Sequence, residues 1–152
     1  MARSGASSES LVTLKTRTRA DYPYFLTYRT RWSDNDQYSH VNNSVYYHLF
    51  DSIVNTYLIQ HCGLSPQRSQ TIGLVVSSHC TFFASVAFPD VLMLGLRVVG
   101  LGSSSVTYEV GVFREGEGNP SAVGGYTHVF VNSDSRKAAR IGGSIREGLE
   151  RL

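Results

Sequence analysis

Residues 32–43 read WSDNDQYSHVNN, and after Ser44 the apolar, aromatic run VYYHLF begins. Two aspartates (Asp34 and Asp36), a histidine (His40) and two asparagines (Asn42 and Asn43) thus stand at the mouth of what reads as a buried helix. A carboxylate so placed can attack an electrophilic carbon or draw a proton from water. The helix start offers complementary chemistry, because its unpaired N–H groups and a macrodipole worth roughly half a charge favour developing negative charge. The same residue types also cap helices and close turns, and capping alone would satisfy Asn42 and Asn43. The two roles can coexist, since the donor is a backbone group. A metal is the weaker alternative: Asp34, Asp36 and His40 share one loop, and no second ligand group follows at recognisable spacing. Neither metal nor cofactor is expected. No G-x-S-x-G elbow or P-loop occurs, and GLGSSS is half a dinucleotide fingerprint set in a hairpin rather than before a helix.

The elements that must position these residues can be read from periodicity. In YFLTYRTRW, Tyr24, Leu26, Tyr28, Thr30 and Trp32 alternate with Phe25, Thr27, Arg29 and Arg31, which predicts a half-buried strand ending near Trp32. From Ser44 to His61 there is no glycine or proline. The apolar residues Val45, Tyr46, Leu49, Phe50, Ile53, Val54, Tyr57 and Leu58 wrap most of that helix, leaving a narrow polar stripe of His48, Asp51 or Ser52, and Asn55. Gly63 supplies a stop. Residues 72–132 then read as four strands, separated by turns at Pro89-Asp90, GLGSSS and REGEGNP. The C-terminal stretch SDSRKAARIGGSIREGLERL reads as a basic loop and a short amphipathic helix. A single long helix can be covered only by a sheet that curls round it. The expected architecture is therefore α+β, a hotdog fold in which a five-stranded antiparallel sheet wraps one central helix. Such a sheet leaves an edge strand unpaired, which predicts a homodimer or a dimer of dimers.

Composition bounds the setting. With 152 residues, 41% hydrophobic and 17% charged, the chain suits one domain with its own core. A net charge of +2 from 14 basic and 12 acidic residues carries no field that argues for nucleic acid. Cys62 and Cys80 lack neighbouring cysteines at metal or redox spacing, so free thiols and an intracellular, cytoplasmic protein are expected. No stretch approaches the roughly 18 apolar residues of a membrane span. Residues 1–21, rich in serine and basic residues, read as a disordered tail, with a mitochondrial transit peptide as the alternative. The folded domain is expected over 22–152.

The pattern D-x-D-x-x-x-H-V-N-N-x-x-Y, lying between the first strand and the central helix, resembles the acyl-CoA thioesterases of the 4-hydroxybenzoyl-CoA thioesterase type. The likeness extends through Asp51 and Tyr57, the closing CGL at 62–64, VSSHCTFF and FPDVL, over about residues 24–132. It implies an acyl thioester hydrolase, most naturally acting on acyl-CoA. Asp36 would be nucleophile or general base, and the backbone N–H of Asn43 would polarise the carbonyl. Asp34 would be structural. His40, Asn42 and Tyr46 would line the substrate and Asp51 the acyl pocket, although an exposed or self-capping Asp51 is the plainer expectation. Ser77 and His79 share one strand face and would line the cleft from the partner subunit, although a buried, backbone-satisfied His79 is the plainer expectation. The turn where relatives place cations against coenzyme A phosphates reads GSSS at 102–105. Substitute cations are Arg136, Lys137 and Arg140, or Arg97; a carrier-protein thioester, which has no nucleotide, is the other substrate. Two further readings remain, a noncatalytic acyl-thioester binding protein and a hotdog dehydratase acting on a 3-hydroxyacyl thioester.

Overall fold

The alternating residues after Pro23 form strand β1 (Tyr24–Arg29), with Tyr24, Leu26 and Tyr28 packed on the core. In this computed structural model, which describes residues 8–152, the strand stops short of Trp32, and Trp32–Asp34 closes as one 3-10 turn. Asp34 is the physical reason for this correction. Its buried Oδ2 accepts the Arg31 N–H and the Tyr28 hydroxyl, each at 2.8 Å, and so bends the chain out of the extended line.

The central helix is α2 (Val45–Cys62), ended by Gly63 at φ 72° as its left-handed stop. It buries Tyr46, Leu49, Phe50, Ile53, Val54, Tyr57, Leu58 and Cys62. Burial is less complete than the sequence suggests, for Tyr47, His48, Asp51 and Ile59 stay exposed along one strip. Strands β2 (Thr71–Phe82), β3 (Val91–Leu101), β4 (Ser105–Arg114) and β5 (Ala122–Asn132) follow in the expected order. They pair antiparallel in the order β1-β3-β4-β5-β2, which leaves β1 and β2 as edges. Leu92, Leu94, Leu96, Tyr108, Val110, Val112 and Phe130 join α2 in one core. A C-terminal helix, α3 (Gly143–Glu150), closes the far end of α2, with the Tyr57 hydroxyl on the Gly148 carbonyl and the Ser144 hydroxyl on that of Cys62. Cys62 and Cys80 are free thiols. No helix among the described residues is long and apolar enough to cross a membrane.

Part of the stretch expected as a tail, from residue 8 onward, takes a defined place beside the sheet. Residues 1–7 lie outside the described residues, but Ser8–Lys15 forms helix α1, beside β5, and the next residues are strapped to the outer sheet face. Tyr22 lies over Gly95 and Gly111, where an added Cβ would come within 2.7 Å of its ring. Its hydroxyl donates to Glu109 at 2.7 Å, and Arg17 and Arg97 each grip the same carboxylate through two nitrogens. Burial alone would raise the Glu109 pKa, yet the hydrogen bonds from Arg97, Arg17 and Tyr22 outweigh it and hold the group below the usual carboxylate range.

On the inner face, His128 is buried with Nδ1 3.2 Å from the Tyr108 hydroxyl, and burial pushes its pKa down to about 4. In the unfolded chain a histidine takes its proton near pH 6.5, roughly. The unfolded state therefore binds the extra proton between these values, and stability must fall as pH drops from 6.5 toward 4. The loss is up to about 1.4 kcal/mol per pH unit. Urea unfolding at about pH 7 and about pH 5 should give a smaller pH difference for His128→Gln than for the wild type; equal differences would show that His128 titrates normally.

Candidate active site

The loop between β1 and α2 is held from both sides. Asp34 anchors its start, and its carbonyl accepts the Asn42 N–H at 2.9 Å. Asn35 and Val41 form a single β-bridge, and the Val41 N–H reaches the Val86 carbonyl at 2.8 Å. Within the loop the Asp36 N–H donates to the His40 carbonyl at 2.8 Å, while Ser39 takes a left-handed φ of 65°. Such a φ is uncommon outside glycine and marks a tightly determined backbone. The Asp36 side chain is fixed by the same loop: Oδ1 accepts the N–H of Tyr38 at 2.8 Å and that of His40 at 3.4 Å. Oδ2 has no protein partner among the described residues, which leaves one oxygen of a positioned carboxylate for chemistry.

The helix start shows a matching vacancy in its hydrogen bonding. Val41 donates to Val86, Asn42 to Asp34, Ser44 to the Asn42 side chain, Val45 to the Asn42 carbonyl and Tyr46 to the Asn43 carbonyl. Among the described residues, the Asn43 N–H alone in this run is unspent. Both Asp36 and Asn43 line one open pocket of about 430 Å³, together with Tyr38, His40, Val41, Tyr46 and the chain from Phe82 to Val86. Tyr46 is buried against Phe82, ring centroids 4.8 Å apart, and burial pushes its pKa up to about 12, so its hydroxyl stays protonated at neutral pH.

The structure thus gathers Asp36, His40, Asn43 and Tyr46, and separates the rest. Asn42 closes a turn ahead of the helix: its Oδ1 accepts the Ser44 N–H at 2.9 Å and the Ser44 hydroxyl at 2.8 Å, and it does not line the pocket. Asp51 is exposed and lines a different cavity of about 510 Å³ with Tyr28, Arg31, His48, Leu49 and Ser52. It also lies beside the buried Tyr126 hydroxyl, which finds no hydrogen-bond partner of good geometry among the described residues. His79 is exposed rather than buried, and so is Ser77. Their register partners, Gly125 and Thr127, alternate with the core-facing Gly124 and Tyr126, so both side chains point away from α2. Arg97 is engaged by Glu109 on the outer face. Arg136, Lys137 and Arg140 are exposed beyond the end of β5. Since Phe82 pairs with Ala122 and Thr71 with Asn132, that loop lies about 35 Å along the ladder from the pocket of the same chain.

Sequence reading missed the wall from Phe82 to Val86. It is brought into the same pocket as Asp36 by the Val41–Val86 bond and by the N–H groups of Phe83 and Ala84 on the Ser121 carbonyl. No local pattern announces such long-range pairing.

A family model described as the thioesterase superfamily matches residues 38–121. The chain is similar to PA5185 of Pseudomonas aeruginosa strain PAO1, with 49% identity, a TM-score of 0.87, and coverage of 89% of this chain and 94% of that one. YsmA of Bacillus subtilis is 26% identical over 121 residues, 79% of this chain and 80% of YsmA. Slr0204, a 1,4-dihydroxy-2-naphthoyl-CoA thioesterase from Synechocystis, is 16% identical with a TM-score of 0.77, and the match covers 85% of this chain and 96% of that one. By its sheet curled round α2 and by a family match that spans more than half of its length, the chain belongs to the thioesterase superfamily and has the hotdog fold.

Proposed function

We propose that the protein hydrolyses acyl-CoA thioesters at the Asp36 pocket, as in thioesterases of the 4-hydroxybenzoyl-CoA type. The observation that carries this reading is the pairing of a free Asp36 Oδ2 with the unspent Asn43 N–H in one pocket. A thioester carbonyl oxygen at the Asn43 N–H meets a donor backed by the start of an 18-residue helix, where developing negative charge is favoured. Asp36 then acts on the carbonyl carbon, directly or through water, and the thiolate leaves. A CoA thioester is also the substrate class named for Slr0204.

The unpaired edge β2 supports a homodimer. Leu74, Val75 and Val76 are exposed along it at 38%, 46% and 61%, a long apolar edge of the kind that proteins cover or pair. Antiparallel pairing of β2 with its own copy lays the partner's Thr71 end beside this chain's Phe82 end. The partner's basic loop then reaches the pocket mouth that the same chain's loop cannot. Arg68 stands next to that loop, because the Ser133 N–H bonds to the Gln70 carbonyl. The GSSS turn, by contrast, is tucked against Arg146, which donates to the Gly102 and Ser103 carbonyls.

Free-thiol release across a panel of acyl-CoAs tests the reading. Hydrolysis releases thiol with loss of the acyl group, a dehydratase leaves the thioester intact but removes water from a 3-hydroxyacyl substrate, and a binding protein does neither. Neutralising Arg136, Lys137 and Arg140 together should raise KM for acyl-CoA about tenfold or more and leave kcat nearly unchanged, because remote groups that hold substrate and transition state equally give only uniform binding. Acyl-pantetheine should barely respond. If KM for acyl-CoA is unchanged and acyl-pantetheine already matches it on the wild type, a carrier-protein thioester becomes the substrate.

A further inference from the structure

Ser85 is the polar side chain of the stretch Phe82 to Val86, which lines the same pocket as Asp36. It lines the pocket, is exposed, and its hydroxyl has no hydrogen-bond partner among the described residues. Its neighbours are apolar: Phe82, Phe83, Ala84 and Val86 make up the rest of that wall. The backbone on either side is tied down, by the Phe83 and Ala84 N–H groups on Ser121 and by the Val86 carbonyl on Val41. A hydroxyl carried on a tied-down backbone thus shares one pocket with the Asp36 carboxylate, and neither the hydroxyl nor Asp36 Oδ2 has a partner among the described residues.

Water that attacks an acyl carbon must turn a lone pair toward it, and so needs acceptors for both of its protons. Asp36 Oδ2 can take one. Resting on the hydrolase reading above, we infer that Ser85 Oγ accepts a hydrogen bond from the other and holds the hydrolytic water in line with the carbonyl. The water oxygen bonds to the acyl carbon as its first proton passes to Asp36 Oδ2. The C–S bond breaks, and the thiolate departs with the electron pair. The second proton stays on the product acid until it ionises into solvent, and Asp36 returns its proton to the thiolate or to water.

A water held by Ser85 is used in the chemical step and not in binding the thioester. Ser85→Ala should therefore lower kcat about tenfold, the scale of one neutral hydrogen bond made in the transition state, with KM within about twofold of wild type. Ser85→Thr keeps the hydroxyl and should restore most of the rate. Because Ser85 and Asp36 serve the same water, adding Ser85→Ala to Asp36→Asn should slow the enzyme no further, the non-additivity of groups that act as a unit. Sedimentation and circular dichroism on each variant exclude a loss of fold. The inference is overturned if Ser85→Ala keeps wild-type kcat, if its whole effect lies in KM, if threonine fails to restore the rate, or if the two losses multiply. Wild-type turnover that Asp36→Asn abolishes but Ser85→Ala leaves intact removes Ser85 alone. No thiol release from any acyl-CoA by the wild type removes the hydrolase reading and Ser85 with it.

Discussion

Asp36→Asn should leave a folded protein whose thioester hydrolysis is slower by at least about a hundredfold, the scale of losing a positioned acid–base group. The loop geometry explains why the fold should survive. The bonds that shape the loop arrive at Oδ1, from the N–H groups of Tyr38 and His40, and an asparagine side-chain carbonyl can accept both. What is lost is the charge and basicity of Oδ2, the oxygen with no protein partner among the described residues. A steady-state assay with continuous thiol detection checks the rate, and near wild-type turnover would remove Asp36 from the mechanism.

Val76→Lys should convert a dimer into a monomer and cost about a hundredfold in activity, the scale of a misplaced reacting geometry. Val76 is 61% exposed and sits at the irregularity between Val75 and Ser77, where it has no register partner on β5. A lysine there therefore disturbs little within one chain. Across a β2–β2 pairing it sets like charges together on the edge, a device that natural sheets use to prevent such pairing. Sedimentation velocity and the thiol assay should move together, and a fully active monomer would contradict a site shared between subunits.

Much of the fold is legible in the sequence because each element carries its own period. Tyr24, Leu26 and Tyr28 do face the core, the glycine-free run does form the central helix, and Gly63 ends it at a positive φ. Where the sequence misleads, a side chain acts across the fold. Asp34 ends β1 early through the Tyr28 hydroxyl, and Tyr22 recruits residues 16–22 to the sheet by lying over two glycines far along the chain. The site divides in the same way. Asp36, His40, Asn43 and Tyr46 lie close in sequence and meet in one pocket, whereas Phe82 to Val86 arrive by long-range pairing. Ser77 and His79 follow the alternation of β2, but the period of two does not say which face is inside. Both lie exposed on the face that points away from the α2 of their own chain.

The most direct test is a crystal structure of the Asp36→Asn variant soaked with an intact acyl-CoA. The thioester oxygen should lie within about 3 Å of the Asn43 nitrogen, with the acyl carbon facing residue 36, as an oxyanion donor requires. The nucleotide should rest on the partner subunit's basic loop. A thioester bound elsewhere, for instance in the cavity between Tyr28 and Asp51, or one whose oxygen faces away from Asn43, would contradict hydrolysis at this pocket.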